Sequence, residues 1–256
     1  MTAWNTGGEG IHSPYLFELV RLVMGDTHTY YKWADIEQRR VAMLRAPKMI
    51  DYIDYGSGGE EGMHRQRLVC DIAKTSLEPK KYGQLLFRLV NWLGHQVRQE
   101  GRIGLNIIEL GTSLGITTAY LASVDSSDRV VTYEGCPDVA AMAEFNWRKL
   151  QLENIVCVEG NMDDTLSESL PESIDVAFVD ANHTYQATLR YFDTLVKRVG
   201  KKSVIVLDDI HYSREMGRAW NAICHHSKVV CTMDLYKLGL VFFDSDYLHK
   251  YYRLRL

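Results

Sequence analysis

No stretch of this 256-residue chain approaches the roughly 18–20 consecutive apolar residues that a membrane span needs. Residues 1–10 are small and polar, with no apolar run behind a basic one, so a secretory leader is not expected and the cytoplasm is the expected compartment. Cysteine is sparse and odd in number: Cys70, Cys136, Cys157, Cys224 and Cys231 are scattered without CxxC spacing. That pattern gives neither a disulfide framework nor a zinc site, and reads as buried thiols in a reducing compartment. An excess of positive charge is also lacking. A net charge of −4 leaves no electrostatic footprint for nucleic acid, which makes a small molecule the expected partner. The glycine-rich turn Gly56-Ser57-Gly58-Gly59 lacks the Gly-Lys-Ser/Thr end of a phosphate loop, and Glu60 and Glu61 that follow would repel a phosphate. A flexible turn is the better reading there.

What is present is an ordinary globular mixture, 46% hydrophobic and 24% charged, which excludes disorder. The length allows one large α/β domain, or a core with an extension. The texture changes near residue 79. Residues 1–78 read as a mainly helical N-terminal extension, with helical patterns over Pro14 to Met24, Trp33 to Arg45 and Arg65 to Thr75. Ser13 is placed to cap the first of these, and Pro14 suits the first helical position. Residues 79–256 form the second segment, opening with a helix over Lys80 to Arg98 and continuing as apolar runs alternating with helical patterns. The runs are Leu105 to Leu110, Val130 to Tyr133, Ile155 to Val158, Ile174 to Val179 and Val204 to Leu207. Two more, Lys228 to Met233 and Leu238 to Phe243, are joined by too few residues for a parallel crossover and therefore pair as a hairpin. The expectation is a Rossmann-like, doubly wound α/β fold: a mostly parallel seven-stranded sheet with one antiparallel strand. The C-terminal Tyr247 to Leu256 reads as an edge strand or an interface, and a homodimer is compatible with it.

Ligands of such sheets bind at the carboxyl ends of the strands. The first strand ends Glu109-Leu110-Gly111-Thr112-Ser113-Leu114-Gly115, a turn whose glycines let the backbone approach a ligand. A dinucleotide fingerprint would put its first glycine at position 109. A carboxylate there opposes a pyrophosphate and suits a ligand that carries a cation, such as the ammonium of a methionine-type tail near a sulfonium. The second strand ends at Glu134, about 20 residues beyond the turn, the interval for a carboxylate that takes ribose hydroxyls. The third ends Gly160-Asn161-Met162-Asp163, where a polar side chain meets an adenine edge and Met162 packs on its ring.

In this order, Glu109 to Gly115, Glu134, and Gly160 to Asp163 resemble the successive motifs of class I S-adenosylmethionine-dependent methyltransferases. The resemblance spans roughly residues 79 to 243 and leaves the first 78 residues uncovered. It implies S-adenosyl-L-methionine as cofactor, held by Glu109, Gly111, Thr112, Ser113 and Gly115 at the methionine part, Glu134 at the ribose, and Gly160, Asn161 and Met162 at the adenine.

Two further strand ends carry acids: Asp180-Ala-Asn-His183, and Asp208-Asp209-Ile-His211. Neighbouring strands about 4.8 Å apart bring Asp180, Asp208 and Asp209 to one edge, where three carboxylates repel unless a cation offsets them. A hard divalent ion, magnesium or another, is the simplest such cation. This arrangement resembles the metal-dependent catechol and caffeoyl-CoA O-methyltransferase branch, with Asp180 and Asp208 matching its acids and Asp209 standing where asparagine is usual. His183 falls where that branch has its lysine base, and Asp180 also borders the cofactor. The implied activity is O-methylation of a small-molecule hydroxyl. A scaffold that binds cofactor without acceptor chemistry, or a metal-free transferase with a non-oxygen acceptor, are the alternatives. His211 is a second base candidate, and Trp220 reads as core. A nucleic-acid substrate finds no support, because no Asn/Asp-Pro-Pro-Tyr segment occurs.

Overall fold

Strands covered on both faces read as near-continuous apolar runs, and the seven runs read from the sequence are mostly apolar, with Glu109 and Thr132 among the buried polar exceptions. All seven form strands in the computed structural model, which describes residue 11 and residues 13–55, 62–247 and 250–255. In chain order the elements begin with α1 (Pro14–Leu19), which continues as a π-helical turn (Val20–Met24), and α2 (Lys32–Leu44). Next come β1 (Met49–Asp54), β2 (Met63–Leu68), α3 (Val69–Ser76) and α4 (Lys80–Gln99). The alternating part follows as β3 (Asn106–Leu110), α5 (Ile116–Ala122), β4 (Arg129–Glu134), α6 (Pro137–Leu150), β5 (Ile155–Glu159) and α7 (Met162–Ser169). It ends with β6 (Ile174–Val179), α8 (Tyr185–Leu195), β7 (Val199–Leu207), α9 (Arg214–Cys224), β8 (Cys231–Asp234), β9 (Gly239–Phe242) and β10 (Lys250–Arg253). The glycine-rich turn Gly56–Gly59, with Glu60 and Glu61, lies outside the described residues.

The large sheet has the strand order β10-β8-β9-β7-β6-β3-β4-β5. β4 with β5, β6 with β7, and β10 with β8 are parallel, while β9 runs antiparallel to both β7 and β8. The Rossmann-like expectation therefore holds, with eight strands in place of seven. The eighth is the C-terminal edge strand β10, fixed beside β8 by Arg253 on Asp234 at 3.2 Å and by the Leu254 N–H on the Asp234 carbonyl at 2.9 Å.

A second correction concerns Arg65 to Thr75, expected to be helical throughout. Residues up to Leu68 form β2, antiparallel to β1, and the helix starts only at Val69. Cross-strand contacts override local helical preference here: Gln66 reaches Asp51, Arg65 reaches Asp54, and both Arg65 and Arg67 stack over Tyr52. Ser13 caps α1 as its sequence position suggests, accepting the Leu16 N–H.

Internal contacts group the chain into two units, the first comprising Met1–Asp26, Asn106–Ile108 and Pro171–Leu256, the second Thr27–Leu105 and Glu109–Leu170. This grouping cuts across a boundary at residue 79. In the first unit, Leu16, Leu19, Val20 and Val23 are buried and Tyr15 stacks on Tyr247. Met216, Ala219, Trp220 and Ile223 form the inward face of α9, so Trp220 is core as its spacing implies. In the second unit, residues of the N-terminal extension share a core with the α/β part. Met43, Ile50, Val69 and Ile72 pack with Leu114, Val139 and Met142, and Trp33 and Ile36 pack with Phe87, Tyr120 and Trp147. All five cysteines are free thiols, Cys136 and Cys231 buried and the others partly so.

One side chain ties three turns of the second unit together. Asn154 Nδ2 donates to the carbonyls of Ala122, Asp125 and Asp128 at 3.0–3.2 Å, joining the end of α5 to the entries of β4 and β5. Replacing it strands acceptors in a part-buried place, at about 1–3 kcal/mol. Asn154→Ala is expected to lower the urea midpoint of unfolding without altering the far-ultraviolet circular dichroism of the native state.

Candidate functional site

The second unit carries the glycine turn, and most of its backbone groups have partners. The strand β3 ends at Leu110, and the Gly111 and Thr112 N–H groups both donate to the Tyr133 carbonyl on β4 at 3.1 Å. Glu134, the last residue of β4, accepts the Ser113 N–H on Oε2 at 2.8 Å and the Cys136 N–H on Oε1 at 3.0 Å. On the other side α6 supplies donors: Asn146 Nδ2 to the Leu114 carbonyl and Trp147 Nε1 to the Gly115 carbonyl, at 2.9 and 2.8 Å. Arg39 from α2 in turn fixes the Asn146 amide through Oδ1.

Gly115 is required twice over. Its φ of +72° lies in the left-handed region, and an added Cβ would sit 2.6 Å from Trp147 Nε1 and 2.7 Å from the Ala143 Cβ. Gly111 has φ +97°, Gly160 φ +119°, and Ser113 bears the strain of a positive φ, +48°, without being glycine.

Glu109 is fully buried on β3. Its Oε2 accepts hydrogen bonds from Thr118 at 2.5 Å and Thr132 at 2.6 Å, and Thr112 joins Thr132 at 2.6 Å. Oε1 has no hydrogen-bond partner among the described residues. Burial outweighs the two threonine donors and pushes the carboxyl up to about 8. Glu134 is also pushed up by burial, to about 7, against the backbone donors that favour its charged form. Gly160 donates its N–H to the Glu134 carbonyl at 2.9 Å, which brings the β5 end beside the β4 end. Asn161 caps α7, accepting the Asp163 N–H on Oδ1 at 3.1 Å, and Met162 begins that helix partly exposed. The acidic stretch Asp163 to Ser169 thus lies in a two-turn helix, α7. All the residues predicted for the cofactor except Asp180 lie in this unit.

The first unit holds the acids. Asp180 follows β6 and Asp208 follows β7, and one ligand atom each from Asp180, His183 and Asp208 lie within 4.8 Å of one another. The expected trio was Asp180, Asp208 and Asp209. Asp209 instead has φ +52° and turns toward a residue the sequence reading passed over, Lys237. Lys237 Nζ lies 2.7 and 2.6 Å from the two oxygens of Asp208 and 2.9 Å from Asp209 Oδ1. Lys237 thus sets a positive charge against Asp208 and Asp209, which do not fit a divalent ion held between them as they stand.

The signal for Lys237 was in the hairpin. β9 pairs antiparallel with β7 so that Gly239 faces Leu207, and continuing that register sets Lys237 across from Asp209. A tight turn, with Tyr236 at φ +73°, the Lys237 N–H on the Leu235 carbonyl and the Ile210 N–H on the Lys237 carbonyl, fixes the lysine there.

His183 Nε2 sits 3.5 Å from Asp180 Oδ1 and 3.7 Å from Asp209 Oδ2, and makes no hydrogen bond among the described residues. Burial lowers its pKa, with Lys237 acting in the same direction and Asp209 and Asp208 opposing, so the imidazole is neutral near pH 7. Thr184, and not His183, caps α8. His211 is engaged elsewhere, with Asp234 at 2.8 Å.

With this geometry in place, the comparisons with known proteins fall into line. Residues 108–210 match the family model described as a methyltransferase domain. Among curated proteins none matches. Solved structures do. An O-methyltransferase from Bacillus cereus in complex with SAH is 20% identical, with 84% of this chain and 92% of that chain covered at a TM-score of 0.58. Cofactor-bound Rv0187 from MTB is 16% identical, with 94% and 99% covered at 0.61. A putative caffeoyl-CoA O-methyltransferase from Staphylococcus aureus is 16% identical, with 60% and 82% covered at 0.50. The matched segment is thus similar to a methyltransferase domain, and these solved structures share the fold of this chain.

The strained, close-packed turn gives a first test of the cofactor region. Gly115→Ala is expected to cost about 2–4 kcal/mol, from overpacking on Trp147 and the left-handed φ together, read as a lower thermal midpoint. Gly101→Ala has a similar positive φ but open space around it, and should cost less.

Proposed function

We propose that this chain transfers a methyl group from S-adenosyl-L-methionine to a hydroxyl of a small molecule. The observation that carries the donor half is the turn at the end of β3: a fully buried glutamate with an unpartnered oxygen, beside a glycine loop held open by β4 and α6. A buried carboxyl oxygen lacking a donor suits a ligand that brings one, and the ammonium of a methionine-type tail does. When bound, S-adenosylmethionine supplies a methyl group already activated on a sulfonium.

The protein's own residues have four tasks. Glu109 and the Gly111–Gly115 backbone, with Thr112 and Ser113, hold the methionine part. Glu134 uses lone pairs beyond its two backbone contacts for the ribose hydroxyls. Gly160 gives close approach to the base, Met162 packs on it, and Asn161, its Oδ1 committed to the helix cap, offers its amide NH2 to the base edge. Asp180 and His183 serve the acceptor. As the acceptor oxygen bonds to the methyl carbon, the carbon–sulfur pair returns to sulfur and His183 takes the hydroxyl proton. Residues 1–78 are the proposed source of acceptor contacts, and the exposed Tyr31 is one aromatic candidate there. Trp33 is core.

The raised pKa of Glu109 makes the donor half testable. A carboxyl raised from 4.5 to about 8 favours the folded, ligand-free protein in its protonated form, and that contribution to stability is lost as pH rises through about 8. A cationic ligand favours the ionised form. Binding of S-adenosylmethionine at pH 7 is therefore expected to release a proton, and affinity to rise with pH toward 8. Isothermal titration in two buffers of different ionisation enthalpy measures the release. Glu109→Gln should remove most of it and weaken binding at least tenfold; a wild-type protein that binds without proton release contradicts this role.

For the acceptor half, His183→Gln should lower turnover on a panel of phenols and alcohols by about 10²–10⁴-fold while leaving S-adenosylhomocysteine affinity within a factor of two or three. Equal turnover in both proteins would favour a scaffold or a different base.

A further inference from the structure

We propose that Lys237 is the resident cation of the acidic cluster and that the acceptor site works without a divalent metal ion. The inference rests on the function proposed above for the identity of the site, and on geometry for the cation. A lysine ammonium has three N–H donors. At Lys237 they meet three carboxylate oxygens at 2.6–2.9 Å, both oxygens of Asp208 and one of Asp209. A hard ion ligated by Asp208 needs the same oxygens at about 2.0–2.6 Å, and an ion and an ammonium at that separation repel each other.

The lysine is also built into place. Asp208 is buried, Lys237 is only 19% exposed at its side chain, and the β8–β9 turn presents it through paired backbone groups and a left-handed Tyr236. Moving the ammonium out would leave Asp208 buried without its partner, which is strongly unfavourable. The atoms of Asp180, His183 and Asp208 lie within 4.8 Å of one another, and an ion among them would share Asp208 with the Lys237 ammonium.

The consequence is a specificity statement. Metal-assisted transfer favours acceptors that chelate through two neighbouring oxygens. A cluster centred on a fixed ammonium has no chelation to offer, so its acceptor needs one hydroxyl alone, positioned by Asp180 and deprotonated by His183. Lys237 is a positioning residue in this reading: it holds Asp208 and Asp209 around His183 and offsets their charge.

The test uses the full chain, dialysed against a chelator, with Mn²⁺ alone as the probe. Electron paramagnetic resonance and isothermal titration are expected to find no Mn²⁺ site tighter than about 1 mM in the wild type, with or without S-adenosylhomocysteine. Lys237→Met, and Lys237→Gln should the first not fold, are expected to gain a site at least tenfold tighter, lost again when Asp208→Asn is added. A wild-type site in the micromolar range that vanishes in Asp208→Asn overturns the proposal, as do two folded lysine variants that gain no site. S-adenosylhomocysteine binding, measured in the same samples, reports separately on the function: its failure would remove the methyltransferase reading while leaving the Mn²⁺ result to decide the cation.

Discussion

A strand that stops at a glycine turn leaves a run of backbone N–H and C=O groups outside any ladder, and buried groups of that kind must find partners. Between Gly111 and Gly115 one bond closes inside the turn, Gly115 N–H on the Thr112 carbonyl at 3.0 Å, and the other partners come from outside it. The Tyr133 carbonyl and the Glu134 carboxylate take the N–H groups, and Asn146 and Trp147 cover the carbonyls. The conformation of the turn is thus set by β4 and α6 together, and the turn itself needs only residues that tolerate positive φ. This explains why Glu134 is half-buried yet indispensable to the local geometry: its two oxygens pin Ser113 and Cys136 before any ligand is considered.

The same reasoning connects the N-terminal third to the site. Arg39 orients Asn146, and Asn146 orients Leu114, so a helix outside the alternating pattern acts on the backbone of the glycine turn at one remove. The β1–β2 hairpin approaches the loop after β4, where the Ile53 N–H points to Cys136 Sγ and the Asp51 N–H to Asp138. Residues 27–78 are accordingly part of the core of the second unit, whatever they also contribute to acceptor binding.

In the first unit the organising force is charge. Three acids at strand ends would oppose one another, and the resolution is a lysine delivered by the antiparallel strand inserted beside β7. A carboxylate cluster with its own ammonium behaves differently from an open one. Burial lowers the pKa of the neighbouring His183, Lys237 acts in the same direction, and the two acids Asp209 and Asp208 oppose it.

What could be read from the sequence was whatever depends on local pattern. Apolar runs of four to six residues between helical stretches marked the strands, a short link marked the hairpin, and an acid followed by Gly-x-x-x-Gly at a strand end marked the candidate cofactor residues. Periodicity and spacing carry that information because each is enforced by contacts close in sequence or repeated along an element. Two things were decided only in three dimensions: the β2 strand where a helix was expected, and the arrival of Lys237 among the acids. Each depends on which distant segment lies alongside, and strand register, not composition, sets that. Lys237 stands next to no acid in the chain; the pairing of β9 with β7 alone brings its ammonium to Asp208 and Asp209, because a hydrogen-bonded ladder fixes position to the residue.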